Sequence, residues 1–298
     1  LTIFKLKNIP YLALLTALRP INFLPFTAQI QIGRLLGKIL YLSLKHRRHI
    51  AKVNIDLCFS SITEPERAKL VKRIFEQNGI GVIETAMAWW SDPSAFEDRV
   101  SFAGLENIES ALQKGKGVIL LGGHYSTLDL GGLLVAQKFA LHAMYRPHNN
   151  AMMERTIRQG RLRCLKSLIH RSDFRTVVKT LRSNQIVWYA PDQDFGPRHS
   201  VFAKFFGIEA ATVTVTERLA KISGAAVIPI AHHRKSNRYE VRFYPDISPL
   251  MGEDEILSAQ AVNDALERGI LIDPSQYMWV HRRFKTQQNL PSGALYNK

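Results

Sequence analysis

Cysteine is scarce: Cys58 and Cys164 are the two in 298 residues. They form no C-x-x-C pair, which argues against a zinc site or a disulfide framework and makes a reducing compartment the default. No metal ligand set and no cofactor motif stands out, so neither is expected. Also missing is an uninterrupted apolar run of the ~20 residues that a spanning helix needs. The apolar stretch 9–44 is interrupted by Arg19, Pro20, Asn22, Pro25, Gln29 and Gln31. No cleavable leader of basic start, short apolar core and small-residue site is evident. There is no G-x-S-x-G elbow for a serine nucleophile, no internal repeat and no low-complexity tract. Acidic residues are in deficit, 25 against 40 Lys+Arg, for a net charge of +15. Such a surface attracts nucleic acid, anionic lipid headgroups, phosphorylated substrates or an acidic carrier protein.

What is present is enough apolar residue, 46% of the chain, for a sizeable core in one domain or a large and a small one. The segment 9–44 reads as two apolar helices broken near Pro20–Pro25. Lys38, Lys45, His46, Arg47, Arg48, His49 and Lys52 follow. Apolar helix plus adjacent cations is the pattern of an interfacial anchor on anionic lipid, with the cations on the cytoplasmic side. The competing reading is a core helix pair followed by a solvated basic turn. Residues 1–60 are therefore expected to be membrane-associated helices with a basic flank, 61–286 an enzymatic α/β domain, and 287–298 a polar tail that frays.

Thr63 and Glu66 make a capping box for a helix over 64–90, with Leu70, Ile74, Val82, Ile83 and Met87 at helical spacing. Beyond Pro93 the pattern alternates. Strands are predicted at 117–121, 141–145, 186–190, 226–231 and 239–244. Helices are predicted at 126–137, 150–168, 174–183, 212–223 and 256–272. The expectation is an α/β fold with a mixed, mostly parallel sheet and helices on both faces.

The chemistry concentrates in Gly122-Gly123-His124-Tyr125-Ser126-Thr127-Leu128-Asp129. A histidine in the loop after a buried strand stands where open α/β sheets bind ligands. A carboxylate at one ring nitrogen fixes the tautomer while the other nitrogen takes a proton. His124 as general base and Asp129 as its brace form the expected catalytic pair; Ser126 reads as a helix cap. H-x-x-x-x-D alone is a weak pattern, but Tyr145 to Asn150, the arginines at 155, 158, 161 and 163, and Pro191 to Arg198 all follow strands or sit beside that edge. Arg161, then Arg146 and Arg163, are candidates for a lipid phosphate. Asp192 and Asp194 stand either near the site or as helix caps and partners of Arg198. His281, Arg282 and Arg283 either meet a carrier or complete the fold. A nucleic-acid-binding reading finds charge in its favour but no aromatic-interleaved basic groove.

Taken together these blocks resemble the bacterial late acyltransferases of lipid A biosynthesis, within the wider lysophospholipid-acyltransferase-like (glycerol-3-phosphate acyltransferase-like) group. The resemblance runs through Arg47-Arg48, Asn54, Leu57-Cys58-Phe59, His124 to Asp129, Tyr145 to Asn150, Gly160-Arg161, Tyr189 to Arg198 and Gln276 to Thr286. It is nearest the lauroyl branch, although that branch commonly carries glutamate where Asp129 stands and the myristoyl branch aspartate. The resemblance implies an enzyme at the cytoplasmic face of the Gram-negative inner membrane, in contact with anionic lipid. It implies an acyl-acyl carrier protein donor and, as acceptor, the hydroxyl of a primary 3-hydroxyacyl chain on a Kdo-linked lipid A precursor. It also implies substrate-binding roles for Arg161, Arg146, Arg163, Asp192, Asp194 and Arg198, and no nucleic-acid partner. A relative acting on another glycolipid or phospholipid is the alternative.

Overall fold

A computed structural model of the chain describes residues 9–297. The helices are α1 (Ile9–Leu18), α2 (Phe26–Ser43), α3 (Lys45–Cys58), α4 (Glu64–Trp90), α5 (Leu105–Gln113), α6 (Leu128–Ala136), α7 (Ala151–Arg161), α8 (Phe174–Arg182), α9 (Val215–Ser223) and α10 (Glu255–Ile270). The strands are β1 (Val100–Ala103), β2 (Val118–Leu121), β3 (Leu141–Tyr145), β4 (Ser167–His170), β5 (Ile186–Tyr189), β6 (Ser200–Phe205), β7 (Ile208–Val213), β8 (Ala226–Lys235) and β9 (Arg238–Phe243).

Seven strands form one sheet in the order β1-β9-β8-β2-β5-β3-β4. Every neighbouring pair is parallel except β8 with β9. β2 lies at the centre and is buried along its whole length, as a strand covered on both faces must be. Its side chains alternate between two apolar layers: Ile119 and Leu121 join one cluster with Val187, Val227 and Ala231, and Val118 and Leu120 join the other with Ile186, Ile228 and Ile230. The mixed, mostly parallel α/β architecture is as expected. β6 and β7 form a separate antiparallel hairpin.

Several elements differ from the sequence-based expectation. The helix expected over 150–168 ends at Arg161, and Ser167–His170 is a strand instead, which lets β4 add to the sheet edge. Thr212 and Val213 belong to β7, so α9 begins only at Val215. Ser126 does not cap α6: the residue before that helix is Thr127, and Ser126 Oγ is buried with no hydrogen-bond partner among the described residues. Part of the tail is docked on the fold. Tyr296 is buried, its hydroxyl donates to Asn54 Oδ1 at 2.6 Å, and it accepts from the Phe284 N–H at 3.0 Å.

α4 begins where expected, with the Thr63 N–H donating to Glu66 at 2.8 Å. Its 27 residues span about 40 Å at 1.5 Å per residue. α2 lies against it through bare backbone: a Cβ on Gly79 would sit 2.2 Å from the Gly37 nitrogen and 2.4 Å from the Gly33 oxygen. The outward side of α2 leaves Leu35, Ile39 and Leu42 exposed, and Phe23 before it is 88% exposed. Among the described residues no helix is long and apolar enough to cross a membrane. Much of the basic flank is used internally. Arg47 donates to the Val280 carbonyl, Arg48 to the Tyr41 carbonyl, and Lys52 pairs with Asp56.

Candidate active site

The loops that leave the C-terminal ends of β2, β3, β4 and β5 gather along one edge of the sheet. They surround a cavity of about 890 Å³, within the range of lipid and cofactor pockets. Its walls include Leu128, Leu133, Val135, Leu141, Met144, Leu165 and Trp188, with His124, Asp129 and Arg161 among the polar groups.

His124 is held from three directions. Its loop is zipped to the C-terminal segment: the Met278 N–H donates to the His124 carbonyl at 2.9 Å, and the Ser126 N–H donates to the Gln276 carbonyl at 2.7 Å. Its own N–H donates to Asp192 Oδ2 at 2.8 Å. Its ring Nδ1 meets Asp192 Oδ1 at 2.6 Å, a short contact of the charge-assisted kind. Asp192 is almost fully buried, and the Tyr277 hydroxyl donates to its Oδ2 at 2.9 Å. Since a carboxylate only accepts, Nδ1 carries the proton and Nε2 keeps a free lone pair.

The brace of His124 is therefore Asp192 and not Asp129, which corrects the pairing expected from H-x-x-x-x-D. Asp129, one turn into the wall of the cavity, is engaged by Arg161: Nε donates to Oδ1 at 2.7 Å and Nη2 to Oδ2 at 3.1 Å. The Trp89 indole N–H adds a bond to Oδ1 at 3.1 Å. This bidentate clasp is available because Gly160 lets α7 rest on the Trp89 ring; a Cβ there would lie 2.4 Å from it.

Register explains why Asp192 reaches the histidine. β2 and β5 are hydrogen-bonded neighbours with Leu121 opposite Tyr189. His124 and Asp192 each follow three residues later, so they leave adjacent parallel strands in step. Nothing in the sequence shows that β5 inserts between β2 and β3, and that insertion decides which carboxylate meets the imidazole.

The electrostatics follow from the pairing. Burial disfavours the His124 imidazolium, but the charge and hydrogen bond of Asp192 more than offset this and raise the ring above the ordinary histidine value. Arg161 acts in the opposite sense. Burial alone would raise Asp192; His124 and the donors around it bring the carboxyl down to about 2. His281, whose ring centroid lies 6.0 Å from that of His124, is held low by burial and by His124.

The remaining expected residues divide. Arg146 and Arg198 are exposed at the mouth of the same cavity. Asp194 also borders it, but its carboxylate fixes a loop, accepting from the Gly196 N–H at 2.8 Å and from the Thr286 N–H and hydroxyl at 2.6 and 2.9 Å. Arg163 turns away from the cavity to the end of α4, where it donates to the carbonyls of Trp89 and Ser91. Arg283 is buried and holds the Ala211 carbonyl and Thr212. Two groups that sequence reasoning passed over complete the site: Tyr277, the second support of Asp192, and Trp89, the second support of Asp129. Among the described residues no cluster of side chains forms a metal site.

The family model described as "Bacterial lipid A biosynthesis acyltransferase" matches residues 5–286. The chain is 37% identical over 274 residues to a lipid A biosynthesis lauroyltransferase of Escherichia coli (strain K12), covering 90% of this chain and 89% of that protein. It is 37% identical over 268 residues to a palmitoleoyltransferase of the same pathway and strain, covering 89% and 87%. The corresponding myristoyltransferase is 30% identical over 264 residues, covering 87% and 80%. The protein belongs to the bacterial lipid A biosynthesis acyltransferases.

Proposed function

We propose that the enzyme moves a fatty acyl chain from acyl-acyl carrier protein to the hydroxyl of a primary 3-hydroxyacyl chain on a Kdo-linked lipid A precursor. The observation that carries the mechanism is the 2.6 Å contact of His124 Nδ1 with buried Asp192 at the wall of an apolar cavity. Nε2 takes the proton of the lipid hydroxyl as that oxygen attacks the thioester carbonyl. Asp192 stabilises the imidazolium so formed. The tetrahedral intermediate collapses with rupture of the C–S bond, and the departing sulfur takes the proton back from His124. No serine or cysteine ester forms on the enzyme.

Two of the N–H groups of Arg161 are spent on Asp129, which leaves the others of its five donors for a developing oxyanion. Its charge already acts on His124. Asp129 is thus read as the positioner of Arg161. In this reading Arg161 supports the reacting centre in place of the lipid-phosphate role expected from the sequence, because its clasp with Asp129 fixes it where its charge acts on His124.

The enzyme is further proposed to work on the cytoplasmic face of the inner membrane, seated by the outward side of α2. Exposed Phe23, Leu35, Ile39 and Leu42 support an interfacial seat, with Lys38 and Lys45 beside them to meet anionic headgroups. Sedimentation with anionic vesicles should be lost when Leu35, Ile39 and Leu42 are all changed to serine; retained binding would remove this seat.

The deciding assay incubates the protein with acyl carrier thioesters of several lengths and the tetra-acylated, Kdo-bearing precursor, and weighs the products. One added acyl chain is expected, with His124→Ala reducing turnover by roughly 10²–10⁴-fold. Near-normal turnover by a folded His124→Ala protein would falsify the general-base role. Transfer only to other phospholipids or glycolipids would replace the acceptor.

A further inference from the structure

Two arginines at the mouth of the cavity take no part in the mechanism above: Arg146, a phosphate candidate from the sequence, and Arg171, which the sequence did not single out. β3 and β4 are parallel neighbours with Tyr145 opposite His170. The next residue on each strand is an arginine, Arg146 and Arg171, and the Arg171 N–H donates to the Tyr145 carbonyl at 2.9 Å. Their backbones therefore lie about one strand spacing apart, ~4.8 Å. Both are exposed and both border the cavity that holds His124. Among the described residues neither side chain has an ion pair or hydrogen bond.

The carboxylates closest in the chain are engaged elsewhere. Glu154 accepts from the Tyr145 hydroxyl and the His148 N–H. Asp173 caps α8 through Thr176. Two unneutralised guanidinium groups side by side repel each other, and a phosphate oxyanion between them offsets that cost. Arginine suits this task through its forked donors.

We infer that Arg146 and Arg171 together hold a phosphate ester of a substrate at the cavity mouth, setting the distance from that phosphate to the bond made at His124. The inference rests on the acyl-transfer reading for its substrates. The phosphate comes either from the acceptor glycolipid or from the phosphodiester of the donor's pantetheine arm.

The test uses Arg146→Gln, Arg171→Gln and the double variant of the full chain. Exposure of both side chains predicts unchanged melting temperatures. Each single change should raise one substrate's KM roughly tenfold or more, the worth of one charge-assisted hydrogen bond, with kcat nearly constant and partial rescue by lysine. If the effect vanishes on an acceptor stripped of phosphate, the glycolipid is the source. If it vanishes when acyl-pantetheine replaces acyl-phosphopantetheine, the donor arm is. Unchanged KM values, or a loss in kcat alone, overturn the site. Should the wild type transfer no acyl chain to any lipid, the acyl-transfer reading fails by itself, and inorganic phosphate at constant ionic strength then decides the anion site. Thermal stabilisation of wild type but not of the double variant upholds it; equal shifts, or none, refute it.

Discussion

Changing Asp192 to asparagine removes the charge that stabilises the His124 imidazolium while keeping the size of the side chain. Turnover should fall by roughly 10²–10⁴-fold, the worth of effective general-base help. The pH profile carries a second signature. A base must be unprotonated, so activity rises with pH through the His124 pKa, which Asp192 holds above the ordinary value. In Asp192→Asn that acidic limb should move to lower pH; an unmoved limb would show that the carboxylate does not govern the imidazole. Arg161→Lys tests the neighbouring clasp. Lysine keeps the charge but cannot grip Asp129 through two parallel bonds, so kcat is expected to drop roughly tenfold or more, and an unchanged kcat would remove Arg161 from the transition state. At this scale the sequence was a partial guide. It pointed to His124, because the loop after a buried strand is where open α/β sheets bind ligands and the neighbouring blocks gather at the same edge. It pointed to the wrong carboxylate, because Asp129 is near in the chain whereas Asp192 is near only once β5 has taken its place beside β2.

The α2–α4 contact is an element-scale feature that makes a sharp demand on composition. Gly33, Gly37 and Gly79 leave backbone against backbone, and any side chain at Gly79 meets main chain that has nowhere to go. Gly79→Ala should destabilise the protein by about 1–3 kcal/mol through overpacking, read as a lower urea midpoint; an unchanged midpoint would mean that the helices part freely. The long helix α4 and strands β3 and β5 were legible because capping, periodicity and continuous apolar runs agree there. β4 was not: Ser167-Leu168-Ile169-His170 is too short to show a period and continues the helical pattern of α7. β6 and β7 were hidden for a different reason. Their hairpin turns at Phe206 and Gly207, both with positive φ, and no Asn-Gly or Asp-Gly signal marks the turn.

For the whole molecule, acid sensitivity follows from histidines buried in neutral form. Burial lowers His232 to about 3 and His233 to about 4, whereas an unfolded histidine titrates near ~6.5. Between those limits the unfolded chain binds protons that the folded chain refuses, so stability falls as pH falls. His124, which Asp192 raises, acts in the opposite sense: its contribution is full below the unfolded value and is lost as pH rises through the folded one. Burial raises Glu84 and Glu267, which act in the same sense as His124. Each of the two histidines contributes on the order of 1 kcal/mol per pH unit, and the urea midpoint should decline from about pH 7 to about pH 5. A flat profile would indicate that these rings open to solvent. Fold class and the mostly parallel sheet could be read in advance at this scale; the docking of Tyr296 could not, since it depends on Asn54, far away in the chain.

That docking has a bearing on biosynthesis. The His124 loop is zipped to residues 276–278, and Asn54 grips the neighbouring Trp279 and His281 carbonyls while holding Tyr296. A ribosome that has made every strand of the central sheet has still not made the clasp that steadies His124. Catalytic competence should therefore wait until residues 276–296 have emerged, and stalled nascent chains ending before Gln276 should transfer no acyl group from a thioester even where their sheet has already formed.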